Sequence, residues 1–243
     1  MKDPDAHFAD PRLAALYDVF DETRDDLDAY VDLLDELSVR SVLDIGCGTG
    51  SLAVRLAERG LDVVGVDPAA ASLDVARGKP CADRVRWLLG DATTLPPLQV
   101  DAAVLTGNVA QVFLTDEDWM AALRGIAAAL RPGGTLVFES RRPERQAWRD
   151  WTPERTRLRR LVPGVGAVTT EGAVTRVAPP LVSFRSTYRF EDDGTVLVSD
   201  STLRFRTEDE LRSSLATAGF AVEEVRDAPD RPGLELVVVA RRR

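Results

Sequence analysis

"VLDIGCGTG", residues 42–50, sets an apolar run against three glycines at alternate positions, Gly46, Gly48 and Gly50. With the helical spacing of "SLAVRLAERG" (51–60) directly behind it, the stretch reads as a buried strand, a tight bend and a helix start. Such a junction leaves free backbone N–H groups at the helix N-terminus, where a polar or anionic ligand can bind. The dinucleotide fingerprint has its third glycine at the sixth loop position, and here that position is Ser51. "DVVGVD" (62–67) is a second strand and ends on Asp67, a carboxylate able to accept both hydroxyls of a ribose.

The same rhythm runs outward from this loop. "AAASLDVARG" (69–78) reads as a helix, "VRWLLGD" (85–91) and "VDAAVLTG" (100–107) as strands, "TDEDWMAALRGIAAALRPGG" (115–134) as a helix and "TLVFES" (135–140) as a fifth strand. Strands alternating with helices at this interval predict a doubly wound α/β fold with a mostly parallel sheet. About 65 residues then separate Ser140 from the helix "TEDELRSSLATAG" (207–219), far more than an ordinary connection. They include "LVSFRSTYRF" and "VLVSDSTLRFR" around Asp193 and Gly194, an antiparallel hairpin. The chain closes with two further strands, "FAVEEVRD" and "LELVVVARR". Upstream, apolar residues from Leu13 to Leu34 at helical spacing predict one or two amphipathic helices over 12–37. The expected organisation is a helical cap over 1–37, an α/β core over 38–140 and 207–243, and an antiparallel β insertion over 141–206.

Composition limits the partners. A net charge of −9 argues against general nucleic-acid coating, although "RRPERQAWRDWTPERTRLRR" (141–160) holds eight arginines against three acids. No apolar run is long enough to cross a bilayer, and "MKDPDAHFAD" has neither the basic start nor the apolar stretch of a secretion signal, so a cytoplasmic location is expected. Two cysteines, Cys47 and Cys81, support neither a disulfide framework nor a metal cluster. Lysine occurs at Lys2 and Lys79, with arginine everywhere else, a bias that carries no functional weight in the sequence.

Taken together, "VLDIGCGTG", "VVGVD", "LLGDATTLP", "VLTGNV" and "LRPGGTLVF" resemble the class I S-adenosylmethionine-dependent methyltransferases, small-molecule type, over roughly residues 38–140, and the "AGF" helix with the last strand pair extends the likeness to the C-terminus. The resemblance implies a seven-stranded sheet with an antiparallel last strand and S-adenosylmethionine as cofactor. It implies that Gly46, Cys47 and Gly48 pass close to the methionine moiety, with Asp44 supporting the loop. Asp67 would hold the ribose, Pro68 would lie against the adenine, Asp91 would accept from its amino group, and Ala92 would offer a backbone donor. Thr106 and Asn108 would border the sulfonium and methyl, and Tyr17 would cover the cofactor. Plainer readings stand beside these: Asp44 and Asp91 as turn caps, Tyr17 as core packing, and His7, the single histidine, in a mobile terminus.

Attack on a sulfonium methyl gains chiefly from alignment, so the absence of a histidine from the core is compatible with catalysis and slightly favours nitrogen over oxygen acceptors. No catalytic residue is assigned. "TGNV" lacks the Asn/Asp-Pro-Pro-aromatic pattern of enzymes acting on nucleobase or glutamine amides, which demotes nucleic-acid acceptors. The insertion has the position of a lid over a small-molecule acceptor and of a homodimer interface. Trp148, Trp151, Phe184 and Tyr188 are candidate walls, with ordinary packing the plainer reading. The competing functions are a cofactor-binding sensor without turnover, an RNA methyltransferase using the arginine-rich stretch, and a nicotinamide oxidoreductase.

Overall fold

The computed structural model describes residues 3–21 and 24–243. The chain begins with short helices α1 (Ala6–Ala9), α2 (Pro11–Ala14), α3 (Tyr17–Phe20) and α4 (Asp28–Glu36). Strand β1 (Ser41–Ile45) and α5 (Ser51–Glu58) follow, then β2 (Asp62–Asp67), α6 (Ala70–Arg77), β3 (Val85–Leu89), β4 (Val100–Leu105), α7 (Asp116–Ala129) and β5 (Leu130–Arg141). A second sheet and helix α8 (Pro153–Thr156) come next: β6 (Leu158–Val162), β7 (Gly166–Ala178), β8 (Leu181–Phe190) and β9 (Val196–Arg204). The core resumes with α9 (Glu208–Thr217), β10 (Phe220–Asp227) and β11 (Glu235–Arg242).

The main sheet has the order β10-β11-β5-β4-β1-β2-β3. Strands β1 to β5 pair in parallel, whereas β11 pairs antiparallel with both β5 and β10. All six residues of β4 are buried, as expected for a central parallel strand covered on both faces. Neighbouring residues serve opposite layers: Phe138 packs with Leu123, Ile126 and Leu215 on one face, and Val137 with Leu52, Leu56 and Val31 on the other. The strand order reverses between β1 and β4, so the loops leaving these two strands flank a crevice at their carboxyl ends, the place where open α/β sheets bind ligands. Among the described residues, no helix is long and apolar enough to cross a membrane.

One expectation is corrected and one is extended. In place of the one or two helices expected over 12–37 there are the short pieces α2, α3 and α4, with Arg24 in the left-handed region at φ 44°; residues 22 and 23, within that span, lie outside the described residues. The insertion is antiparallel as expected and holds the hairpin as β8 and β9, within a four-stranded sheet in the order β6-β7-β8-β9 whose first two strands were not anticipated. Strands β6 and β7 escape sequence reading because their side chains do not alternate cleanly: β6 carries Arg159 and Arg160, and β7 is broken by Gly172 and a register shift between Val174 and Arg176.

Candidate functional site

The bend after β1 is built from glycines with different duties. Gly46 sits at φ +67°, and a Cβ there would lie 2.6 Å from Val109 Cγ2; its N–H and that of Cys47 donate to Val66 O at 2.8 and 3.2 Å, folding the loop onto β2. Gly50, at φ +78°, is the N-cap of α5, and a Cβ would come within 2.5 Å of the Trp87 ring. At Gly48 a Cβ would meet nothing within 4 Å, and the N–H donates to Asp67 Oδ2 at 2.8 Å. The other carboxylate oxygen of Asp67 accepts the Ala69 N–H at 2.8 Å, so each oxygen keeps a lone pair for a further donor. Burial pushes the Asp67 carboxyl above its usual range, while the two N–H groups pull it back.

Gly46, Cys47, Gly48 and Asp67 help wall a cavity of about 170 Å³. It brings together Tyr17, Asp44, Gly46, Cys47, Gly48, Asp67, Pro68, Asp91 and Thr106, nine of the eleven residues singled out in the sequence. Asp44 is 1% exposed, and its Oδ1 has no hydrogen-bond partner. Burial, with the charge of Asp67 adding to it, pushes this carboxyl up to about 7, against the opposing pull of Arg24 and the Ala53 N–H. Asp91 faces the cavity and also caps its own turn, accepting from Thr93 N and Oγ1 at 2.6 Å. Cys47 packs toward Gly65 of β2 on the cavity wall, and burial pushes its thiol well above the usual range.

Two of the eleven stand behind the wall. Ala92 is fully buried, with its carbonyl against Gly125 of α7. Asn108, 2% exposed at φ 62°, turns away: its N–H donates to Glu139 Oε1 at 2.8 Å, and its amide reaches Glu235 at 3.3 Å. Glu139 also accepts from the Tyr30 hydroxyl, and Arg231 donates to Glu235 at 2.8 Å. The loop after β4, which supplies Thr106, Gly107 and Val109 to the cavity, is thereby held from behind by a buried polar network.

The cover over the crevice comes from the N-terminal segment, which contributes Asp3, Asp5, Phe8 and Arg24 beside Tyr17. Arg24 lines the same cavity as Asp44 and is tied to Asp26 at 3.1 Å and Asp21 at 3.3 Å. Sequence reasoning missed it, because one arginine amid "DETRDD" carries no periodic signal. His7 is not in a loose terminus. It lies in α1 with Nδ1 2.5 Å from the Tyr188 hydroxyl and its backbone N–H donating to Ser199 Oγ at 2.8 Å, and burial pulls the imidazole down to about 4. Of the candidate aromatic walls, Trp148 packs on Phe205 and Trp151 on Phe184, edge to face at 4.6 and 5.0 Å. The arginine-rich stretch is largely ion-paired: Arg142 with Asp227, Arg155 with Asp150, Arg157 with Glu171 and Arg159 with Glu191, all within 3.0 Å.

Comparison with known proteins agrees with this geometry. A family model described as a methyltransferase domain matches residues 42–134. An uncharacterized methyltransferase of Mycobacterium tuberculosis is 33% identical over 207 residues, 77% of this chain and 78% of that one. The demethylmenaquinone methyltransferase of Thermus thermophilus is 32% identical over 197 residues, 79% of each chain. The S-adenosylmethionine-bound structure of CalS10, an amino pentose methyltransferase from Micromonospora echinaspora involved in calicheamicin biosynthesis, superposes with a TM-score of 0.65 at 25% identity, covering 91% of this chain and 93% of that one. With this sheet order, this glycine bend and relatives alike over three quarters of its length, the chain belongs to the class I S-adenosylmethionine-dependent methyltransferases.

Proposed function

We propose that the chain methylates a nitrogen of a small, amine-bearing acceptor, with the cofactor lying in the cavity between the glycine bend and the N-terminal segment. The observation that carries the placement is Asp44 Oδ1, a buried and unpartnered acceptor on the cavity wall. A buried carboxylate oxygen without a donor is costly unless a ligand supplies one, and the α-ammonium of the methionine moiety is such a donor. Arg24, which lines the same cavity, suits its carboxylate, and the remaining lone pairs of Asp67 suit the ribose hydroxyls. S-adenosylmethionine supplies an electrophilic methyl on a sulfonium; the protein's part is to orient and exclude water. Segments 1–37 and 141–206 then act as the cover of a core made of 38–140 and 207–243.

The nitrogen preference rests on what lines the cavity. Among the described lining residues there is neither histidine nor lysine to draw a proton from a hydroxyl. Phe8 and Tyr17 stand there with ring centroids 5.8 Å apart, beside Asp3 and Asp5, a setting that favours an ammonium and its methylated product. The amino pentose acceptor in the CalS10 name points the same way. Pairing of the arginine-rich stretch with acids supports a small acceptor over RNA. The test is turnover of S-adenosylmethionine against amines, amino sugars and their hydroxyl analogues, with products read by mass spectrometry. Methylated amine is expected, with kcat/KM rising as pH approaches the acceptor's own pKa. Methylation confined to the hydroxyl or a quinol carbon would overturn the nitrogen assignment, and tight cofactor binding with no turnover on any acceptor would favour the sensor.

A further inference from the structure

The cofactor cavity is a seam between two parts of the chain. One side is the glycine bend with Thr49 and Ser51; the other is the N-terminal segment with Phe8, Tyr17 and Arg24. Whatever fills the cavity touches both sides, so its escape depends on how firmly they are joined. The join at the glycine-bend end is made by Lys79. Its Nζ lies 2.8 Å from Asp18 Oδ2, the residue next to Tyr17, and donates to Ser51 Oγ at 2.8 Å and more weakly to Thr49 Oγ1 at 3.4 Å. The two hydroxyls complete the ring by donating to Asp18 Oδ1, Thr49 at 2.7 Å and Ser51 at 3.3 Å. One ammonium thus meets a carboxylate from the cover and hydroxyls from the bend.

This junction suits lysine in particular. Three donors on a compact head can point to three acceptors that do not share a plane, whereas the flat fork of a guanidinium matches a single carboxylate or phosphate. In a chain whose other lysine is Lys2 and whose remaining basic side chains are arginines, the lysine at this place answers to that geometry. The side chains of Lys79 and Asp18 are 21% and 33% exposed, so the pair is shielded more than a surface ion pair yet remains open to salt. Elsewhere the cover is held by neutral contacts, such as Ser72 Oγ donating to Phe8 O at 3.0 Å and His7 on Tyr188, and by ion pairs away from the bend, Arg12 with Asp193 at 2.9 Å and Arg55 with Asp28 at 2.8 Å.

We propose that Lys79 and Asp18 form a clamp joining the N-terminal segment to the glycine bend, and that this clamp sets how long the cofactor stays bound. Both are positioning residues, acting through Tyr17, Thr49 and Ser51. The proposal rests on the placement of the cofactor in this cavity, and the experiment separates the two. Dissociation of S-adenosylhomocysteine is followed by stopped flow for the wild type, Asp18→Asn, Lys79→Met, Lys79→Gln and the double variant Asp18→Asn/Lys79→Met, with Asp67→Ala as the probe of placement. Each single change is expected to speed release roughly three- to tenfold, the double change no more than the larger single one, because both remove one interaction. Release from the wild type should quicken with salt more steeply than release from Lys79→Met, which keeps the ion pairs of the cover that lie away from the bend. Unchanged release in Lys79→Met and Lys79→Gln, single effects that multiply in the double variant, or equal salt dependence in wild type and Lys79→Met would each overturn the clamp. If Asp67→Ala weakens binding while the clamp variants behave as wild type, the clamp falls and the placement stands. If Asp67→Ala binds as wild type, the placement falls and takes the clamp with it.

Discussion

Asp44 shows how one side chain can carry both a sequence signal and a chemical question. Its position before Gly46 marks the loop, yet its role depends on a desolvated oxygen that nothing in the protein satisfies. With its folded-state pKa raised to about 7, Asp44 binds a proton more tightly in the folded than in the unfolded chain. Its contribution therefore favours the ligand-free fold at low pH and is lost as pH climbs from the unfolded carboxyl range toward 7. Cofactor binding through an ammonium needs the carboxylate, so the sign is opposite for affinity. Between pH 8 and 6 the Kd for S-adenosylhomocysteine should rise by up to about tenfold in the wild type. Asp44→Asn should bind weakly at every pH, with a flat profile; calorimetry over that range checks both, and a pH-dependent Asn variant would remove Asp44 from the site. Gly48 makes a second test at this scale. A Cβ there clashes with no protein atom, so Gly48→Ala should cost roughly 1–2 kcal/mol of stability through its positive φ, while cofactor binding falls by far more as the close approach of ligand to backbone is lost. Comparing urea midpoints with binding isotherms separates the two effects.

Among the elements, α7 meets the site through its closest backbone contact. A Cβ on Gly125 would fall 1.8 Å from the Ala92 carbonyl, and a backbone oxygen has no rotamer by which to withdraw. Gly125→Ala should therefore destabilise by about 2–4 kcal/mol and displace the turn that carries Asp91 into the cavity. Equilibrium unfolding and cofactor affinity should both suffer, unlike at Gly48. The network behind the β4 loop is also a matter of elements, since Tyr30 comes from α4, Glu139 from β5 and Glu235 from β11. Burial raises the Glu139 carboxyl, and the Tyr30 hydroxyl and Asn108 N–H hold it down. Its energetic weight lies in leaving those donors satisfied, more than in its charge.

For the whole molecule, ligand binding and folding are linked. A cofactor that bridges the N-terminal segment and the sheet stabilises only the folded chain, so S-adenosylhomocysteine at a hundred times its Kd should add about 2.7 kcal/mol and raise Tm by roughly 5–10 °C. Differential scanning calorimetry checks it, and an Asp67→Ala protein tested at the same ligand concentration should gain little.

The alternation of strand and helix from β1 to β5, the glycine bend and the end of β2 at Asp67 were legible in the chain because strand pairing, helix periodicity and turn chemistry are local. The segmented N-terminus, the strands β6 and β7, and the parts played by Arg24, Lys79 and Glu139 were not. Their meaning lies in contacts between residues far apart in sequence, such as Lys79 with Asp18, Tyr30 with Glu139 and His7 with Tyr188. By itself the sequence determined where the backbone must bend and which faces must be buried, since sterics and hydrophobic period act over a few residues. Tertiary structure decided which carboxylate oxygen is left dry and unpartnered and which lysine bridges the two sides of the cavity, because desolvation and ion pairing depend on what the rest of the fold brings alongside.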